Sequence, residues 1–105
     1  MKKVFTDPNT AIIKNVVGTG DRECSCGPWL DHWEKHSRKV SGLCSVDECS
    51  AIAIHGAHVQ RILDDGNHHF IIPMCASHNG DHGGMLIAKA GTTYVWANKK
   101  EMCGE

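Results

Sequence analysis

The stretch PMCASHNGDHGG occupies residues 73–84 and is rich in side chains that can bind a metal ion. One cysteine and two histidines fall within it, namely Cys75, His78 and His82. The C-x₂-H spacing of Cys75 and His78 can deliver two ligands to one metal ion. A second close pair, Cys44 and Cys49 in CSVDEC, lies upstream, and about 25 residues separate the two pairs.

Two close pairs of ligands from separate parts of a chain are the usual way to build a tetrahedral zinc site. The residues between the pairs are predicted to form an extended stretch, a loop and a strand, which can fold back and bring the pairs together. The sequence therefore predicts a structural zinc site of treble-clef type with ligands Cys44, Cys49, Cys75 and His78. His55 and His58 are alternative fourth ligands. In the competing interpretation the thiols are ordinary buried side chains, because free cysteine often packs as a small hydrophobe.

The length and charge of the chain limit the class of protein. With 105 residues, the chain is expected to form a single domain, residues 1–105. The formal net charge is −1, so the chain lacks the overall basic excess of a dedicated nucleic-acid binder. Basic residues are clustered only locally, at Lys35, Arg38, Lys39, Lys99 and Lys100.

The N-terminal residues MKKVFTDPNT contain no apolar run of the kind found in a signal peptide. No stretch approaches the roughly 20 apolar residues of a membrane span. Cysteines and histidines in short pairs are then more typical of a cytoplasmic metal protein than of a disulfide-rich secreted one. We expect a cytoplasmic protein with no membrane partner and no small-molecule substrate.

Apolar periodicity predicts the elements of an α+β fold with short strands. Residues 1–10 are expected to be frayed, and the N-terminal strand and helix together occupy residues 11–41. Pro28 suits the first position of a helix, and Trp29, Trp33, His36 and Val40 then form its apolar face. This is the one longer amphipathic helix expected. The segments MLIA, 85–88, and TTYVWA, 92–97, predict a C-terminal hairpin over residues 85–97.

The segment CSCG offers a second, separate set of candidate ligands. Cys24 and Cys26 could bind one metal ion together with His32 and His36, which lie one helical turn apart. Packing in the core is the preferred interpretation for His36, whereas the residues do not separate packing from ligation for Cys24 and Cys26. A redox role for these two thiols is a further alternative, and Cys103 is expected to be a free thiol.

The segments GLCSVDEC, GAHV and FIIPMCASHNGDHG together resemble the zinc-containing HNH nucleases of the His-Me finger group. CGPWLDHW, GAHVQ and IIPMCASHN also resemble a group of small uncharacterised bacterial and phage-type proteins. The first resemblance covers residues 43–84 and implies an HNH-like zinc core there. It implies that Cys44, Cys49 and Cys75 hold zinc, with His78 in the place of a fourth cysteine. It further implies that His58 is a general base and that His82 is the closing metal-binding histidine.

This sequence departs from the nuclease pattern at three catalytic positions. Ala57 precedes His58 where a metal-binding Asp or His is usual, Phe70 replaces an Asn, and Asn79 replaces a His. A catalytic divalent ion needs suitable protein ligands. His82 is one candidate ligand, and only His55 or Asp81 could replace the missing ligand at the position of Ala57. A buried hydrogen bond is therefore the preferred role for His58.

The predicted function is that of a small, non-catalytic, HNH-like zinc-binding module whose partner is a protein or a nucleic acid. The alternative is an active HNH endonuclease that uses His58 as its base and binds a divalent ion such as Mg²⁺ near His82.

Overall fold

The computed structural model describes residues 2–16, 27–64, 68–98 and 101–102. Six strands and two short helices lie within these residues. In chain order they are β1 (Val4–Asp7), β2 (Ala11–Asn15), α1 (Trp29–Ser37), β3 (His55–Arg61), β4 (His69–Met74), α2 (Ala76–Asn79), β5 (Met85–Ala88) and β6 (Thr92–Trp96). Among the residues described, no helix has the length and apolar character needed to cross a bilayer.

The six strands form one sheet in the order β1-β6-β4-β3-β2-β5, with every neighbouring pair antiparallel. The predicted α+β class with a treble-clef core and one longer helix is therefore wrong, because an antiparallel sheet dominates the fold. Residues 1–10 were predicted to be frayed, yet they contain β1, which pairs with β6.

Strand β4 separates two apolar cores because its side chains alternate between the faces of the sheet. Phe70, Ile72 and Met74 belong to an inner core that also contains Cys44 and Cys75. Ile71 faces the opposite side and packs with Trp29 and Trp33 of α1 in an outer core. The inner and outer faces of the sheet are defined by these two cores.

The sheet must curl strongly, because the link from β5 to β6 is short. These strands are four positions apart in the sheet order, which corresponds to about 19 Å across a flat sheet. The link consists of residues 89–91 and can span only about 14 Å. The segment containing Cys44 lies at this closure, since Ser45 N–H donates to the Pro73 carbonyl and the Ser45 carbonyl accepts from Lys89 N–H.

The predicted C-terminal hairpin over residues 85–97 is absent, although both of its strands exist. β5 pairs with β2, with Ile12 opposite Ile87, while β6 lies between β1 and β4. The Gly91 N–H, just before β6, donates to the Asp7 carbonyl at the end of β1. The chain that leaves β5 is therefore already hydrogen-bonded to β1 when β6 begins. Gly91 has φ 85°, a left-handed conformation that glycine adopts readily and that suits this change of direction.

The predicted helix is shorter than its apolar pattern indicated. α1 has nine residues and ends where Arg38 adopts φ 60° and donates its N–H to the Glu34 carbonyl. The Glu34 carboxylate then accepts hydrogen bonds from the N–H and the hydroxyl of Ser41, which turns the chain away from the helix axis. Val40 is consequently 89% exposed rather than part of the apolar face.

Candidate metal centre

The structure brings together Cys44, Cys49, Cys75 and His78. One ligand atom from each residue lies within 4.8 Å of all the others. His78 Nδ1 lies 3.4 Å from Cys75 Sγ and 3.7 Å from Cys44 Sγ. Zinc bonds of about 2.0–2.3 Å in a tetrahedral site place neighbouring ligand atoms roughly 3.5–3.8 Å apart. These two distances therefore fit a site that could hold a metal ion such as zinc.

The first pair of candidate ligands, Cys44 and Cys49, lies in a tight turn between α1 and β3. Cys49 N–H donates to the Val46 carbonyl, and Glu48 adopts φ 65°. The turn is anchored to the sheet because Val46 forms a β-bridge with Ala88. Both thiols can consequently point to one place although four residues separate them.

The second pair lies where β4 meets α2. Cys75 is the N-cap of α2 and His78 is the third residue of that helix. The C-x₂-H spacing therefore works here because one helical turn brings the histidine ring back over the thiol. Cys44 and Cys75 are buried, whereas Cys49 and His78 are partly exposed.

The two buried thiols differ in acidity. The backbone N–H of His78 lowers the pKa of the Cys75 thiol to about 7. Burial raises the pKa of the Cys44 thiol above its ordinary value. Cys75 is therefore the thiol that loses its proton first, and a metal ion that binds the deprotonated forms of both thiols would release protons on binding.

Asn15 and Lys89 support the cluster, and sequence reasoning missed both. The buried Asn15 side chain donates through Nδ2 to the carbonyls of His78 and Asp81, each at 2.7 Å. The Lys89 ammonium donates to the Cys49 carbonyl at 2.6 Å. No local motif signals either contact, because the partners lie 40 to 66 residues apart in the chain.

The residues expected for catalysis lie elsewhere. His58 projects from the outer face of β3, where its ring centroid is 4.5 Å from that of Trp29. Its neighbours Ala57 and Val59 point the other way, into the inner core. His82 is exposed in the loop after α2, and His55 is exposed at the start of β3. Phe70 is a core residue that packs edge-on against Phe5.

Several other predicted residues fall outside the described part of the chain, namely Cys24, Cys26, Lys99, Lys100 and Cys103. His36, for which packing was preferred, is partly buried, and its ring lies 4.7 Å from that of His32. His32 is the buried histidine of α1.

Comparison of the chain with known proteins yields no match to a protein-family model, to a curated protein or to a solved structure.

Proposed function

We propose that this chain is a small, non-catalytic binding module whose fold is stabilised by one structural zinc ion. The observation that carries the proposal is the set Cys44, Cys49, Cys75 and His78, whose ligand atoms lie within 4.8 Å of one another. Three sulfur ligands and one nitrogen ligand are typical of closed structural zinc sites, which leave no coordination position for a substrate.

The position of the four proposed ligands supports a structural role for the ion. The ligands come from two segments, one between α1 and β3 and the other at the end of β4, which meet where the curled sheet closes. An ion bound there would hold both segments in place. Metal binding would consequently contribute directly to the free energy of folding.

The partner is proposed to be a macromolecule, either a protein or a nucleic acid, and the surface favours a protein. Leu43 and Ile52 are bridge partners beside the cluster and are 55% and 71% exposed. Ile54 is 58% exposed and two residues further along the same extended segment. Exposed apolar side chains grouped in this way are typical of protein interaction surfaces, and the net charge of −1 provides no general attraction for nucleic acid.

The geometry gives less support to the nuclease alternative. The ring of His58 packs against Trp29 on the outer face of the sheet, whereas His82 follows α2 in an exposed loop. Ala57, at the family's ligand position, is buried in the inner core and has no metal-binding atom in its side chain. A plasmid-nicking assay with Mg²⁺ or Mn²⁺ tests this alternative, and we expect no cleavage; cleavage that disappears in His58→Ala would reverse the assignment.

Cobalt substitution tests the zinc site directly, because Co²⁺ bound by thiolates produces an intense charge-transfer absorption in the near ultraviolet. We expect this absorption in the wild-type protein and in Cys103→Ser, and its loss in Cys44→Ser. A folded wild-type protein that shows no such absorption and contains no zinc would refute the proposal.

A further inference from the structure

Four of the eight histidines of the chain lie on the outer face of the sheet, away from the Cys₃His cluster formed by Cys44, Cys49, Cys75 and His78. Their rings form a chain with Trp29: His36 to His32 at 4.7 Å, His32 to Trp29 at 5.0 Å, Trp29 to His58 at 4.5 Å, and His58 to His69 at 6.3 Å. The Cys₃His cluster belongs to the inner core, so the sheet lies between the two groups.

The burial and the hydrogen bonding of His32 are typical of a histidine that binds a metal ion. Its side chain is fully buried, and its Nε2 lies 3.0 Å from the Trp96 carbonyl oxygen. A carbonyl can only accept a hydrogen bond, so Nε2 carries the proton and Nδ1 of the neutral ring carries the lone pair. Histidines that bind metals commonly donate their other ring N–H to a carbonyl in this way, which fixes the tautomer and the direction of the ring.

His36 lies four residues after His32 on α1, so both rings project from the same side of the helix. Two histidines at i and i+4 on one helix can bind a single zinc ion. Burial lowers the pKa of both imidazoles.

We propose that His32 and His36 form a second metal site that binds a divalent transition-metal ion such as Zn²⁺ through two imidazole nitrogens. Within the described residues, only the Cys₃His cluster provides three or more candidate ligand atoms within 4.8 Å. Among the described residues, the proposed site thus supplies two imidazole ligands, whereas a closed structural zinc site has four protein ligands. It does not depend on the proposed function, because it lies on the other face of the sheet.

The first test is isothermal titration with Zn²⁺ of protein that retains one zinc ion per chain after dialysis against a weak chelator. We expect the wild-type protein to bind one further equivalent. His36→Ala is the chosen variant because His36 is only partly buried, and we expect it to bind this equivalent at least about tenfold more weakly, since even second-shell losses cost 10–100-fold. His82→Ala, at an exposed histidine, is the matched control and should titrate like the wild type.

A second measurement requires no variant. On addition of the second equivalent of Zn²⁺, the ring ¹⁵N resonances of His32 and His36 should shift together, while those of His82 should stay in place. Absence of a second equivalent, an unchanged titration of His36→Ala, or unshifted His32 and His36 resonances would each overturn the proposal. Absence of cobalt–thiolate absorption from the folded wild-type protein, by contrast, would count only against the Cys₃His site.

Discussion

Asn15 connects the N-terminal part of the sheet to the turn that presents His78. Its amide donates two hydrogen bonds of 2.7 Å to the carbonyls of His78 and Asp81. In Asn15→Ala both carbonyls lose this donor, which should destabilise the zinc-loaded protein by about 1–3 kcal/mol. Zinc affinity should fall 10–100-fold, as for other residues that orient a ligand.

Competition with a chromogenic chelator measures this loss of zinc affinity. Lys14→Ala is the control, because Lys14 neighbours Asn15 on β2 but is exposed. If Asn15→Ala and Lys14→Ala bound zinc equally well, the proposed role of Asn15 in positioning His78 would be wrong.

Lys89 places a positive charge beside a centre that would be negative overall. Zinc bound by three thiolates and a neutral imidazole carries a net charge of −1, and the Lys89 ammonium lies 2.6 Å from the Cys49 carbonyl oxygen. Lys89→Met keeps most of the aliphatic chain but removes the charged donor. We expect a loss of about 1.5–3 kcal/mol in the free energy of unfolding, typical of a hydrogen bond to a charged group.

Urea denaturation of the zinc-loaded protein measures this change, with Lys14→Met as the matched exposed substitution. Equal midpoints for Lys89→Met and Lys14→Met would show that the contact with Cys49 contributes no stability.

At the scale of elements, Gly56 determines how closely α1 approaches β3. A Cβ atom at this position would lie 2.4 Å from Leu30 N and Trp29 C, which are backbone atoms of α1. Since backbone cannot rearrange as a flexible side chain can, Gly56→Ala should force α1 away from the sheet. We expect a destabilisation of at least about 1–3 kcal/mol, the usual cost of overpacking.

Thermal unfolding and tryptophan fluorescence both report this displacement, because Trp29 and Trp33 are buried on the side of α1 that packs against the sheet. Gly42→Ala is the control, since a Cβ atom there would have no neighbour within 4 Å. If Gly56→Ala had the same melting temperature as Gly42→Ala and an unchanged tryptophan emission, the proposed close packing of α1 on β3 would be wrong.

The ligand pairs of the cluster could be predicted from the sequence, whereas the pairing of the strands could not. The C-x₄-C and C-x₂-H spacings identified four residues that do lie together, because close ligand pairs depend on local geometry. The position of β5 could not be predicted in this way. The short link through Gly91 suggested a hairpin, but pairing of β5 with β2 and of β6 with β1 and β4 involves strands far apart in the sequence.

The length of α1 illustrates a related limit. The spacing of Trp29, Trp33 and Val40 continues a helical pattern. The helix nevertheless ends before Val40, where the Glu34 carboxylate accepts a hydrogen bond from the Ser41 N–H. Pattern alone also favoured His36 as the core histidine, whereas His32 is the one fully buried. Periodicity thus predicted the helix and its tryptophan face, and tertiary contacts determined its end.

For the whole molecule, the Cys₃His cluster lies at the closure of a curled sheet in a small domain. A domain of this size has a net stability of about 5–15 kcal/mol. Structural zinc contributes apparent binding free energies of about 10–16 kcal/mol in small peptides at pH 7. Loss of the ion would therefore remove an amount comparable to the entire stability of the fold.

We accordingly expect Cys44→Ser and Cys75→Ser to unfold the domain at 25 °C, as measured by far-ultraviolet circular dichroism. A strong chelator should have the same effect on the wild-type protein, because it would remove the ion that we propose joins the two ligand segments. Cys103→Ser should melt like the wild type, since Cys103 is not among the four proposed ligands. If Cys75→Ser kept the wild-type melting temperature, the two segments would be held by packing alone, and zinc would have no structural role in this fold.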